Sequence, residues 1–404
     1  MKIKNIRTSN NFKKKFFNNF LLKKISVNFP KIEKEILAEI ENTGQTLNIL
    51  SKNFNFNFNL KTLKRFKNFN SIVIIGMGGS ILGAESLYQF LENKIKKKFY
   101  FFDDINAKKI TLFKNKKNLK KTLFLVISKS GKTVETISNF LSLGILYKNS
   151  KNIIIISEKS NNPLYEISKR FNLFYIEHKK SVGGRYSVLS ETGVVPAYLM
   201  GLNVVKLRSN ILNYLKDKKK LLLKDNVIKL THLFKEKKIK NIIFLNYVPE
   251  LEKFLFWCQQ LIAESLGKKK NGFLPVISSV PKDHHSLLQL YLDGPRDKLF
   301  YIFSSNNKKK KKTLTRKIFK KSFLNNLDLN NLKIAQKNAL IETFKVTDIP
   351  YRELKINKFD EKTLGELFSY FILETIFIGK LSRINPFNQP AVEQVKVITK
   401  KLLS

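Results

Sequence analysis

Six stretches of this 404-residue chain carry residue types at spacings that could do chemistry. Residues 71–87, SIVIIGMGGSILGAESL, read as a buried strand, a glycine turn and a helix. Such a turn presents free backbone N–H groups at the positive end of a helix and so favours an anion. The glycines are Gly76, Gly78, Gly79 and Gly83. A dinucleotide fingerprint needs glycine where Ile81 stands, so the spacing is wrong for a nicotinamide dinucleotide. Ser80 adds a hydroxyl at the helix start. The alternative is that the glycines only permit a tight turn. The same strand–turn–helix context recurs at 126–136, VISKSGKTVET. GKT at 131–133 invites a Walker A reading, but Val126 occupies the place that motif reserves for glycine. Ser128, Ser130 and Thr133 offer hydroxyls, and Lys129 and Lys132 offer charge. That set suits a terminal phosphate monoester held without a metal; the alternative is that Ser and Thr cap the helix.

The other four blocks hold groups able to move protons or stabilise charge. In GGRYSVLSETG, 183–193, two glycines let the backbone approach a ligand and Arg185 presents a permanent positive charge. In WCQQLIAESLGKKKNG, 257–272, Gln260 and Glu264 lie four apart and share one helix face. Glu264 is expected in apolar surroundings near the helix C-terminus, which would make its carboxylate a stronger proton acceptor, as a general base needs. Its alternative is a solvated Glu on an amphipathic helix. KDHHSLLQLYLDG, 282–294, holds two of the four histidines, His284 and His285. Adjacent histidines diverge on a helix and no cysteine or further His lies near, so proton transfer fits better than a metal pair. In NPFNQPAVEQVKVITKKLL, 385–403, Pro390 suits the first turn of a helix and Lys396 lies one to two turns inside it.

The elements that must position these groups follow from periodicity. Apolar strand-like runs at 71–76, 98–102, 122–128, 152–157 and 173–177 alternate with helical patterns at 81–93, 132–147 and 163–171. Near-continuous apolar strands in β-α-β-α order predict a parallel sheet covered on both faces. A long helical stretch at roughly 206–237 then leads into a second series. Strands are expected there at 241–246, 274–279, 299–305 and 339–346, with helices at 249–267, 361–381 and 390–403. The fold class is therefore α/β, with two tandem domains of mostly parallel sheet. The domains are expected at 61–205 and 206–404, with residues 1–60 an extension packed on the core. NFNFNFNL at 53–60 alternates like a strand, or is low-complexity drift in an Asn- and Phe-rich chain.

Composition bounds the rest. With 43% hydrophobic residues the chain can build a large core. The single cysteine, Cys258, cannot form an internal disulfide and fits a reducing compartment. No apolar run is long enough to span a bilayer. The net charge of +45 could mark a polyanion partner. The lysines are spread along the whole chain, and Lys greatly outnumbers Arg although base contacts favour Arg. No specific nucleic-acid partner is expected. Lys308 to Lys312 is expected to be a solvated loop. A basic, Asn-rich leader raises the question of a transit segment, but such peptides favour Arg and Ser.

In order and context the six blocks resemble the glucose-6-phosphate isomerase family, built from two sugar-isomerase domains. The resemblance runs from residue 71 to 396 and leaves out the extreme N-terminus. It implies phosphate binding by Gly78, Gly79, Ser80, Ser128, Lys129, Ser130 and Thr133, and an intermediate stabilised by Arg185. It also implies Glu264 as base with Gln260 on the substrate, His285 opening the sugar ring, and Gln389 and Lys396 from the last block. The chain departs from the family pattern at Lys132, where threonine is usual. Asn388, Ala391 and Val395 stand where Asp, Gly and Gly are common. The resemblance implies a cytoplasmic aldose–ketose isomerase of hexose 6-phosphates, acting in glycolysis and gluconeogenesis. It implies no cofactor, no metal and no membrane, and a homodimer whose sites are completed across the interface. Alternatives are a dual glucose/mannose-phosphate isomerase, an aminosugar-phosphate isomerase, or a sugar-phosphate sensor.

Overall fold

The computed structural model describes residues 5–305 and 313–403. Among them are ten strands: β1 (Ile6–Asn10), β2 (Ser71–Ile75), β3 (Lys98–Phe102), β4 (Thr122–Ile127), β5 (Ile153–Ser157), β6 (Phe174–Glu177), β7 (Asn241–Asn246), β8 (Leu274–Ser279), β9 (Lys298–Ser305) and β10 (Tyr351–Ile356). One sheet has the order β3-β2-β4-β5-β6, with every neighbouring pair parallel. The other has the order β1-β10-β9-β7-β8 and is parallel except for β1, which runs antiparallel to β10. The central strands Leu123–Ile127 and Ile153–Ile156 are fully buried β-branched and apolar runs, as a sheet covered on both faces requires.

Each sheet is the middle of three layers. On the outer face of the first sheet Val73, Phe102, Phe124 and Ile155 pack against Ile110, Phe113, Phe140 and Leu164 of the covering helices. On the outer face of the second, Ile243, Phe300 and Ile302 pack against Leu340 and Phe344. The inner faces share one continuous cluster, which runs through helices Leu82–Leu91, Glu252–Leu266 and Glu361–Leu381. There Phe254 meets Phe371, and Trp257 meets Phe368, edge to face. The core also buries an ion pair: Arg352 donates to both Glu374 oxygens (2.5 and 2.6 Å) while its guanidinium lies 3.7 Å over the Tyr301 ring.

Several expectations are corrected. NFNFNFNL forms no strand: Phe54 is buried, Phe56 and Phe58 pack on the core, and the Arg208 guanidinium covers the first two rings. The alternation reflects side chains pointing in and out of an unpaired loop. The run 339–346 lies inside helix Leu329–Val346, whose Leu340, Ile341 and Phe344 form a helical stripe on the sheet; the strand, β10, follows it. Apolar periodicity alone does not separate a short buried strand from a helix turn. The long helix is broken into Val204–Arg208, a short turn at Asn213–Leu215 and Asp217–Glu236. The N-terminal residues do more than pack outside: β1 extends the second sheet, and in helix Asn19–Glu41 Phe29 stacks on Phe377 (4.9 Å). Lys308 to Lys312 lie outside the described residues.

Gly365 marks where the helix Glu361–Leu381 meets Val204–Arg208, since a Cβ there would sit 1.7 Å from the Leu207 carbonyl oxygen. Gly365→Ala is expected to lower stability by roughly 1–3 kcal/mol or more through overpacking. Chemical unfolding followed by the fluorescence of Trp257, the sole tryptophan, reads this directly.

Candidate active site

The two glycine turns leave the carboxyl ends of β2 and β4, which are neighbours at the point where strand order reverses. Gly78 adopts φ +51°, and a side chain there would lie 2.7 Å from Gln260 Nε2. At Gly79 a Cβ would lie 2.3 Å from the Gly184 carbonyl. The first turn is therefore pressed against both the Gln260 helix and the segment before Arg185. Gly131 in the second turn has φ +62° with Asn162 Oδ1 directly against it. Helices Leu82–Leu91 and Val134–Ser142 begin directly after these turns.

In the second turn Ser128 is buried and shares a 2.9 Å hydrogen bond with Thr133 Oγ1. Thr133 makes no side-chain cap on its helix, which leaves the capping alternative unsupported at that residue. Ser130 is exposed, and its hydroxyl accepts from the Lys132 N–H (3.2 Å). Lys129 Nζ lies 3.6 Å from Glu158 Oε1. Burial pulls the Lys129 amine below the usual lysine range, and Glu158 opposes that shift.

Arg185 is 3% exposed, and all five of its N–H donors are taken. Nε donates to Ser265 Oγ (2.8 Å). One terminal nitrogen donates to Pro386 O (2.5 Å) and Asn388 O (3.2 Å). The other donates to Gln389 Oε1 (2.8 Å) and Glu264 Oε2 (3.2 Å). Gln260 Nε2 donates to the second oxygen of Glu264 (2.9 Å). Glu264 thus sits between an amide and a guanidinium. The expected apolar surroundings are corrected: Leu261, Ile262 and Leu266 take the buried face of the helix, and Glu264 turns to the polar side.

The structure brings together Arg185, Gln260, Glu264, Gln389 and the turn of Gly78, Gly79 and Ser80. It does not bring His285 or Lys396 to them within the single chain. His285 is exposed at the first turn of helix His284–Asp293. The preceding His284 is the held one, 3.0 Å from the Tyr247 hydroxyl. Lys396 is exposed on helix Glu393–Leu403 and pairs with Glu393 (2.7 Å). Ser265, Tyr186 and the carbonyls of Pro386 and Asn388 were not singled out from the sequence. Ser265 stood next to Glu264 in a quoted block, whereas backbone carbonyls leave no signature in residue identity.

Two mostly parallel sheets frame this site, and the first glycine turn packs against the helix of Gln260 and Glu264 and the segment that leads into Arg185. The family model described as Phosphoglucose isomerase matches residues 28–279. A relative from Methanococcus maripaludis is 33% identical over 398 residues, covering 92% of this chain and 87% of the relative. The glucose-6-phosphate isomerase of Methanocaldococcus jannaschii is 30% identical over 364 residues, covering 85% and 87%. In fold, the chain is similar to a glucose-6-phosphate isomerase from Chlamydia trachomatis, with a TM-score of 0.74 at 15% identity over 99% of this chain and 89% of that one. The chain belongs to the phosphoglucose isomerase family, whose reaction interconverts glucose 6-phosphate and fructose 6-phosphate.

Because Gly79 abuts backbone rather than a flexible side chain, Gly79→Ala must displace the first turn. It is expected to weaken sugar-phosphate binding about tenfold or more, a cost of about 1.4 kcal/mol. Calorimetric titration with fructose 6-phosphate checks this.

Proposed function

We propose that this chain performs the isomerisation with Glu264 as the single base and Arg185 as the fixed cation beside it. The observation that carries the reading is the 3.2 Å contact between a buried guanidinium and a partly exposed carboxylate. The backbone N–H groups of the two turns, with Ser80, Ser128, Lys129, Ser130 and Thr133, take the phosphate. That anchor supplies binding energy remote from the reacting carbons. His285, assisted by Lys396, moves protons between the ring oxygen and the anomeric hydroxyl, which frees the open-chain aldose. Histidine suits this work because its ordinary pKa lies near neutrality.

Glu264 then removes the proton from C2, and the C2–H electron pair becomes the C1–C2 double bond of an enediolate. Arg185, already oriented, lowers the energy of the negative oxygen. The O2 hydroxyl proton passes to O1, Glu264 returns the carbon-bound proton to C1, and the ketose forms with no net redox change. Gln260 and Gln389 hold the hydroxyl groups and keep the carboxylate aimed.

The single chain leaves His285 and Lys396 away from this centre, which fits a homodimer in which the partner's His285 completes each site. Helix Glu393–Leu403 and the turn before it carry an exposed apolar stripe, Val392, Val395, Ile398 and Leu402. Lys396 lies at the edge of that stripe, so docking the stripe would carry Lys396 inward. The proposed division is 61–205 and 206–404, with the first sixty residues attached to the second unit through β1. The enzyme would act in the cytoplasm in glycolysis and gluconeogenesis.

Glu264→Gln is expected to abolish turnover in a coupled assay from fructose 6-phosphate while sugar-phosphate binding survives; unchanged turnover refutes the assignment. Shared sites predict complementation. Glu264→Gln and His285→Ala proteins, each inactive, should recover roughly a quarter of wild-type activity after mixing and subunit exchange, because half the dimers then hold one intact site. No recovery, with hybrids detected by mass spectrometry, would rule out a shared site.

A further inference from the structure

Arg185 can assist only if its guanidinium keeps one direction, and that direction is set by the strap Asn385–Gln389. Two of the strap's carbonyls and the Gln389 side chain take three of the five Arg185 N–H groups. The strap therefore has to be held by something other than Arg185. It leaves helix Glu361–Leu381 through Arg383, which has a left-handed φ of 58°. Asn385 then closes a small turn by accepting from the Phe387 N–H (2.9 Å). Tyr186 holds its middle, donating to Pro386 O (2.8 Å).

Its start is held by Lys268. The Lys268 amine donates to Asn385 O (2.6 Å) and to Ser265 O (3.0 Å). Ser265 O is a carbonyl in the last turn of helix Glu252–Leu266, where backbone acceptors lack helical partners and a cation is favoured. Lys268 thus bridges the two segments that also converge on Arg185, since Ser265 Oγ receives Arg185 Nε. It is half-buried, and burial together with nearby Arg185 pulls its pKa down to about 8, with Glu264 opposing. It is a lysine placed among the charges of the site without touching the carboxylate.

We propose that Lys268 is a positioning residue for the isomerisation, fastening the strap Asn385–Gln389 to the end of the helix that carries Glu264 and so fixing the aim of Arg185. The inference rests on the reading of Glu264 as base and Arg185 as cation. Without the bridge, the strap and the guanidinium move together. Arg185 can then settle side-on against both Glu264 oxygens, the arrangement a free guanidinium–carboxylate pair prefers. The base would be neutralised in the ground state and the cation displaced from the enediolate. The phosphate turns follow β2 and β4 and make no contact with Lys268 among the described hydrogen bonds, so ligand anchoring is left intact.

The test separates turnover from binding. Lys268→Met is expected to lower kcat roughly 10- to 100-fold, the scale of a misplacement of about 1 Å. The affinity for a hexitol 6-phosphate, which lacks the carbonyl and cannot isomerise, should change less than about threefold, well under one tenfold step. Lys268→Arg, which can still donate to both carbonyls, should restore most of kcat. The inference is overturned if Lys268→Met keeps kcat, or if kcat and hexitol-phosphate affinity fall together and Lys268→Arg rescues neither. Glu264→Gln measured alongside separates the two claims. Its loss of turnover with a fully active Lys268→Met sinks only the lysine's role, and its full activity sinks the underlying assignment.

Discussion

Burying a guanidinium is costly unless its hydrogens find acceptors, and Arg185 solves that problem with neighbours drawn from three distant parts of the chain. Residue 185 follows the first sheet. Residues 264 and 265 end a helix of the second unit. Residues 386 to 389 lie past the long central helix Glu361–Leu381. None of these segments has a reason to meet except through the fold. The neighbouring Tyr186 bonds Ser265 and Pro386 as well, and Trp257 donates to the Arg185 carbonyl (3.1 Å). The arginine is thereby fixed at both its backbone and its head. Four of its five acceptors being neutral, its charge is only partly cancelled by Glu264, which leaves a field available to an anionic intermediate.

The glycines serve the same assembly. Gly78 and Gly79 allow the first turn to touch Gln260 and Gly184, so the turn after β2 abuts the helix that carries Glu264. Gly83 and Gly193 similarly let Val188 come close to two helices. Lys268 extends the logic to the strap.

The first sheet was legible in the sequence because its strands are short, uninterrupted apolar runs, β-branched or aromatic, and its first two turns are marked by glycine and hydroxyl residues. All five of its strands stand within a residue or two of where the apolar runs put them. The second sheet was less so. The run at 339–346 is apolar enough for a strand, but its stripe at Leu340, Ile341 and Phe344 packs as a helix, and the true strand YRELKI carries charge because Arg352 is neutralised by Glu374. The antiparallel β1 was hidden in a polar leader, IRTSN, whose pairing depends on the distant edge strand Tyr351–Ile356 rather than on its own pattern. At the site, Arg185, Gln260, Glu264 and Gln389 were found together; the four-residue spacing named Gln260 as a neighbour of Glu264, whereas no local pattern joins Glu264 to Arg185. His285 and Lys396 stand apart from these four in the single chain, exposed on helices His284–Asp293 and Glu393–Leu403.

The central claim is that Arg185, held rigid, faces the carbons that Glu264 deprotonates while the phosphate lies in the paired turns. A crystal structure with a sugar-phosphate analogue bearing a planar anionic group at the C1–C2 end tests it most directly. The account predicts the phosphate against residues 78–80 and 128–133, and the planar anion within hydrogen-bond distance of Arg185 with the Glu264 carboxylate over its face. A phosphate bound elsewhere, or an anion out of reach of Arg185 with the strap unchanged, would contradict it.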